Sequence, residues 1–301
     1  MPTSIGLFCK SFAPDVERVL NLCKSVDRHN VDGLPLYIAV PRDDIPRFRE
    51  IVPGYANLLD EKEFMQCSLN KRLPGWRDQQ VAKLMFGVGC PVDNFLVLDS
   101  DCEFIRDFRA DDFLRQDGLP LVATENYYRY RPGDRFSEEA ALGLLSPGQM
   151  AVDRMTFVSA SMFAIDRSMI GHRDLLKRKP TDTGPLIGGV FGRTDRVNVY
   201  FMPTPVIWSR EIIEHFWWFL RERGLSFSDL ILYAPWEAIW YGHYALTRFR
   251  DRIRCVEPYA MHFVSDADIA HAKDVGVSRE TLSKNFLAVT LAARHQEAVS
   301  F

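Results

Sequence analysis

The sequence predicts an α/β fold, with a mostly parallel central sheet and helices on both faces. Three observations predict it. Short apolar runs recur at residues 5–9, 36–40 and 95–98. Stretches with apolar residues at helical spacing lie between them, and Pro or Gly closes several elements. Short continuous apolar runs read as buried strands, and strand–helix alternation implies parallel pairing, because each crossover helix returns the chain to the same end of the sheet.

Residues 5–9 form the first strand. Pro14 opens a helix carried by Val16, Val19, Leu20, Leu22 and Cys23, since its missing N–H costs nothing in a first turn. Residues 36–40 form a second strand, closed by Pro41. Ile45, Phe48, Ile51 and Val52 mark a helix ended by Pro53-Gly54, and residues 56–59 make a third strand. Pro74-Gly75 turns into a helix over 78–86, followed by the clearest buried strand, 95–98. Beyond residue 101 the pattern changes: a strand at 119–123, a loop at 127–136, a strand at 157–165 and a glycine-rich segment at 181–192. Residues 211–223 form an apolar helix stopped by Gly224, with Phe216, Trp217, Trp218 and Phe219 read as core. Further helices are expected over 235–246 and 278–298.

The chain has 301 residues, 47% of them hydrophobic and 26% charged, which excludes a disordered chain, a collagen and a coiled-coil rod. Its formal net charge is −3, so no basic field points to nucleic acid. Six scattered cysteines form no C-x-x-C, which argues against a zinc ribbon and fits a reducing compartment. No run approaches the roughly 20 apolar residues of a spanning helix, and the N-terminal run is too short for a signal-peptide core. A cytoplasmic location is expected, with attachment at the inner face of the membrane left open.

Chemistry concentrates at Phe95-Leu96-Val97-Leu98-Asp99-Ser100-Asp101. Two carboxylates two residues apart follow a buried strand, and ligands of open α/β sheets sit outside the carboxyl ends of the strands. Carboxylate oxygens are hard ligands suited to Mg²⁺ or Mn²⁺, ions that share their coordination with phosphate oxygens. Upstream lie Trp76, Gln79, Gln80 and Lys83, of which Gln79 and Lys83 share a helix face. Two amides and an ammonium can clamp a pyrophosphate and a sugar. Alternatively, they are good helix formers on a solvated face, and Asp99 and Asp101 cap a turn or pair with an arginine.

These residues resemble the GT-A glycosyltransferases. More narrowly, W-x-x-Q-Q-x-x-K-L, then F-L-V-L-D-S-D-C-E-F, then P-W-E-A-I-W-Y-G-H-Y are similar to a group of bacterial glycosyltransferase-like proteins, many of them from polysaccharide gene clusters. The resemblance implies a GT-A-like, Rossmann-like fold and a nucleotide-sugar donor. It implies Mn²⁺ or Mg²⁺ held by Asp101 with Asp99 as partner, and a nucleotide lying near Cys9, Lys10 and Ser11. In such proteins a C-terminal histidine often joins the metal, which singles out His262; the alternative is a satisfied core histidine. One GT-A-like domain is expected in two halves. Residues 1–125 bind the nucleotide-sugar and end in the D-x-D strand, and residues 126–301 bind the acceptor and carry the C-terminal helices.

An inverting transferase needs a base for the acceptor hydroxyl. Glu237 is the candidate, with Tyr241 and Tyr244 on the same helix face and Trp240 nearby as a sugar-stacking wall. Its alternative is a first-turn glutamate favoured by the helix dipole. Weaker acceptor-side candidates are Trp208, Ser209, Glu211, Ser159, Ser161 and the cluster Tyr127, Tyr128, Arg129, Tyr130 and Arg131. The expected activity is metal-dependent sugar transfer to a glycan or lipid-linked glycan. Two readings compete: a non-catalytic nucleotide-sugar or glycan-binding partner of a synthesis complex, and a phosphotransferase using Asp99 as nucleophile. The latter lacks the Thr of D-x-D-x-T, having Glu103 there.

Overall fold

A computed structural model describes residues 4–65, 73, 75–126, 187, 190–191, 199–201, 204–256, 258–263, 266–274 and 276–291. The first half builds strand and helix in turn: β1 (Ile5–Lys10), α1 (Val16–His29), β2 (Leu36–Val40), α2 (Ile45–Ile51), β3 (Asn57–Asp60), α3 (Glu61–Met65), α4 (Trp76–Phe86) and β4 (Asn94–Leu98). A short 3₁₀ turn holding Pro14 precedes α1, as proline's fixed φ allows. α1 buries Val16, Val19, Leu22, Cys23 and Val26 on one face. Every residue of β1 and β4 is buried, the pattern of strands covered on both faces.

The chain continues through β5 (Cys102–Phe104), β6 (Leu121–Asn126), β7 (Val199–Phe201), β8 (Val206–Ser209), α5 (Arg210–Arg221), α6 (Phe227–Tyr233) and α7 (Glu237–Arg248). It ends, within the described residues, in β9 (Arg254–Val256), β10 (Ala260–Phe263), α8 (Asp266–Asp274), α9 (Arg279–Ser283) and β11 (Ala288–Leu291). Gly224, at φ +66°, follows α5, and a reciprocal Ser226–Asp229 capping box starts α6.

The central sheet has the order β3-β2-β1-β4-β8. β1, β2, β3 and β4 run parallel and β8 antiparallel to β4, giving the mostly parallel α/β architecture that the sequence predicts. The order reverses between β1 and β4, whose carboxyl ends lie together, with Cys9 paired to Leu98. This is the switch point where crossovers diverge and open a crevice. Two smaller sheets, β10-β11-β5 and β7-β6-β9, complete the described strands.

The single helix expected over 278–298 is not what forms. α9 is a five-residue turn, and Ala288–Leu291 is a fully buried strand between β10 and β5. Backbone pairing on both sides decides a short apolar run whose spacing suits either structure. Residues 292–298 lie outside the described residues, as do the expected loop at 127–136 and strand at 157–165, and with them Tyr127, Tyr128, Arg129, Tyr130, Arg131, Ser159 and Ser161.

Gly242 lets β7 approach α7. A Cβ added there would lie 2.1 Å from Phe201 Cγ. Gly242→Ala is therefore expected to destabilise by about 1–3 kcal/mol in denaturant unfolding, against the roughly 1 kcal/mol that alanine gains in a helix interior.

Candidate functional site

The D-S-D segment is a tight turn between β4 and β5, closed by Cys102 N–H donating to Asp99 O at 3.1 Å. It stands at the switch point, beside the end of β1. Ser100 Oγ donates to Asp15 Oδ2 at 3.3 Å, and Asp15 Oδ1 pairs with Arg18 at 2.5 Å, so the start of α1 brackets the turn. From the other side, Leu291 N–H donates to Asp101 O at 3.2 Å.

Asp99 uses its two oxygens differently. Oδ1 faces inward, 2.6 Å from Lys83 Nζ, an ion pair off the hydrogen-bonding axis. Oδ2 accepts from Thr204 Oγ1. Lys83 Nζ also donates to Glu237 Oε1 at 2.9 Å. The Lys83 and Glu237 side chains are only 2% and 7% exposed. Gln80 completes the chain of contacts: with its amide nitrogen turned to the carboxylate, it donates to Glu237 Oε1 at 2.6 Å and Oε2 at 2.5 Å. Lys83 thus lies between two carboxylates under the acidic turn. The solvated-face alternative does not hold for Gln80 and Lys83, which are both buried.

Charge sets the protonation of this cluster. Burial opposes the Lys83 ammonium, but Asp99 and Glu237 outweigh it and hold its pKa above the ordinary lysine value. Burial likewise opposes the Asp99 charge, yet Lys83 and the Thr204 hydroxyl keep its carboxyl below the usual range. In Glu237 burial prevails over Lys83, and the pKa rises. Asp101 is pushed up to about 7, by burial first and then by the Asp99 charge, with Lys83 and Arg18 pulling the other way. No side-chain hydrogen bond or ion pair to the Asp101 carboxylate occurs among the described residues.

His262 sits half-buried in β10, where its Nδ1 meets Thr290 Oγ1 of β11 at 2.5 Å. It stands among the groups that lower the Asp99 pKa, after Lys83 and Thr204. A partner on one ring nitrogen fixes the orientation of the other. Among the described residues, however, no three His, Cys, Asp or Glu side chains gather as a metal site. At the end of β1, Cys9 is fully buried and its thiol is pushed up by burial first and then by Asp99. Lys10 Nζ pairs with Glu61 Oε2 at 2.9 Å and donates to Ser11 O at 2.5 Å. Ser11 Oγ is buried with no hydrogen-bond partner, while Gln79 Nε2 donates to Lys10 O at 3.3 Å. Trp76 is 48% exposed and tilts against Trp236 at 5.5 Å.

The sugar wall expected beside Glu237 belongs to the core instead. Trp240, Tyr241 and Tyr244 are buried; Tyr241 stacks on Trp208 and donates no open face to a ligand, and Tyr244 stacks on Phe216. The exposed aromatic beside the network is Trp76, with Trp236 against it. Sequence reasoning missed Thr204, Thr290, Arg18 and Trp236. Trp236 adjoins Glu237 in the motif that was singled out; the other three carry no local signal.

Lys83→Met leaves Asp99 and Glu237 without their counter-ion and is expected to cost about 3–5 kcal/mol in unfolding free energy. Lys83→Met with Glu237→Gln is expected to recover part of that loss. Asp101 gives a pH signature in the metal-free protein. Its folded pKa lies above the ordinary carboxylate value, so its contribution is fully present near pH 4 and is lost as pH rises through about 7. Asp101→Asn should therefore raise the unfolding temperature at pH 8, by an amount that shrinks toward zero near pH 4 in thermal scans.

Comparison with known proteins adds the fold. Residues 4–141 match the model of a family of unknown function, DUF6492. No curated protein matches the chain. Among solved structures, the apo form of the bifunctional glycosyltransferase WbbM is similar, with a TM-score of 0.50 at 12% identity over 96% of this chain. The chain spans 46% of the length of that protein. The similarity establishes a glycosyltransferase-like fold.

Proposed function

We propose that this chain is a metal-dependent glycosyltransferase that moves a sugar from a nucleotide-sugar donor to a glycan or lipid-linked glycan acceptor. One observation carries the reading: an acidic pair stands at the β1/β4 switch point with its two members in different states. Asp99 has its charge compensated by Lys83, and Asp101 has a carboxylate that no described side chain engages.

The residues suit a Mn²⁺ or Mg²⁺ ion of a particular kind. Such ions accept one or two protein carboxylates and complete their shell with water and phosphate oxygens. Asp101 would hold the ion, with Asp99 beside it and His262 on the flank. When bound, the cation supplies charge neutralisation to a diphosphate leaving group. With Asp99, Asp101 and Glu237 ionised around Lys83, the cluster is formally −2, which a divalent ion balances. Ser11, Lys10 and Cys9 would form the floor for the nucleotide, with the buried Ser11 hydroxyl as its hydrogen-bonding group. Gln79 and Trp76 would border it, and 1–125 would act as the donor half against an acceptor half of 126–301.

Glu237, in this reading, acts through Lys83. Both its oxygens are engaged and it is buried, so it holds the ammonium that fixes Asp99, with Gln80 holding it in turn. The same burial supports a second reading, a nucleotide-sugar-binding partner without transfer, because the carboxylate expected to serve as base is not presented to an acceptor.

Calorimetry with UDP, GDP, CDP and CMP, with and without Mn²⁺, tests the reading. One diphosphate is expected to bind in a metal-linked manner, and Asp101→Asn should weaken it at least about tenfold. Glu237→Gln should weaken the same binding, as a positioning residue must; a base would lower transfer and leave binding intact. Binding without donor hydrolysis or transfer would favour the partner reading, and absence of metal-linked nucleotide binding would sink both.

A further inference from the structure

The aromatic run of α5 divides between two environments. Phe216 is fully buried, but Trp217 is half-buried and Trp218 is 56% exposed. The two indoles meet edge to face at 4.8 Å. The Arg221 guanidinium lies over both, 4.5 Å from the Trp217 ring and 5.1 Å from Trp218. Arg223 sits 3.7 Å over Phe219, and Arg248, from the end of α7, lies 5.7 Å from the same ring. All three arginines are exposed. The helix thus turns a core stripe inward and lays guanidinium groups across the aromatic rings it leaves outside.

Trp217 and Phe219 rest partly against the core, whereas Trp218 and the three guanidinium groups stay exposed, and the acidic turn uses none of them. An indole has an apolar body and one polar edge, a shape suited to the boundary between water and lipid. Guanidinium is weakly hydrated, stacks on rings and pairs with phosphate oxygens in a planar fork. Among the described residues, Glu222 lies 3.7 Å from Arg223, and Glu214 stands about two turns earlier on α5. Three arginines against two glutamates leave a local positive excess on a chain whose formal net charge is −3. Charge complementarity therefore selects an anionic surface.

We propose that the C-terminal end of α5, with Arg248, is a docking surface for a lipid bilayer carrying anionic headgroups. α7 links it to the acidic turn: Glu237 begins that helix and Arg248 ends it, a helical rise of about 16 Å. The proposal stands independently of the donor-site reading.

Co-sedimentation with vesicles tests it, comparing pure phosphatidylcholine with a mixture containing 30% phosphatidylglycerol. Wild type is expected to bind the anionic vesicles only, with a blue shift of tryptophan emission. Trp217→Ala with Trp218→Ala, and separately Arg221→Glu with Arg248→Glu, should each weaken binding by about tenfold or more. Circular dichroism and unfolding temperature serve as the check that each variant folds. Calorimetric nucleotide binding should be unchanged in both, which separates this surface from the donor site. Failure of wild type to bind, or equal binding by both folded variants, overturns the proposal. A dimer in sedimentation velocity that dissolves in the tryptophan variant also overturns it, by assigning the face to a second copy of the chain.

Discussion

Lys83 is an ammonium buried under an acidic turn, and the site depends on how that charge is compensated. A buried charge without partners costs several kcal/mol. Here α4 delivers the cation, the β4–β5 turn delivers Asp99, and the first turn of α7 delivers Glu237. The acidic turn and α4 are thereby joined to a helix 154 residues further along the chain. The ion cluster is where the first sheet-forming half and the later helices meet around a single charge, and Gln80 extends it by holding both Glu237 oxygens.

That compensation makes the two aspartates unequal. Asp99 is spent on Lys83 and Thr204, and its charge is fixed below the usual carboxylate range. Asp101 has neither partner and feels Asp99 as a like charge in a partly desolvated place, so its proton is held more tightly. A dipeptide spacing in the sequence treats the two alike. The turn separates them by aiming one carboxylate at an ammonium and the other away from it. A pair divided in this way can keep its shape through Asp99 while Asp101 exchanges a proton.

Aromatic residues follow the same logic of burial deciding role. Trp240, Tyr241 and Tyr244 share a motif with Glu237, and all three go to packing: Tyr241 stacks on Trp208, Tyr244 on Phe216, and Trp240 meets Phe191 edge to face. Trp76, Trp217 and Trp218 stay at the surface. Trp76 borders the acidic network, whereas Trp217 and Trp218 lie under Arg221 at the far end of α7's partner helix. Residue type alone does not separate these classes, because an indole suits a core, a sugar face and a lipid boundary equally.

The sequence by itself determined the α/β class, the strands β1, β2, β3 and β4, and the acidic turn's place after β4. The reason is that strand runs and helix spacing are local patterns, each legible within about a dozen residues. It also brought Lys83, Gln80 and Glu237 forward as residues of interest, but with other tasks: an open clamp and a base. Only the tertiary structure decided that Lys83 faces Asp99 and Glu237, that Thr204 and Thr290 support the acidic turn and His262, and that Ala288–Leu291 is a strand. Those outcomes rest on contacts between segments separated by tens to more than a hundred residues, as in the 154-residue gap from Lys83 to Glu237. Periodicity counts apolar positions and places polar residues on the outside by default. A polar residue buried by a partner from elsewhere in the chain breaks that default, and the energy that makes the exception comes from the partner.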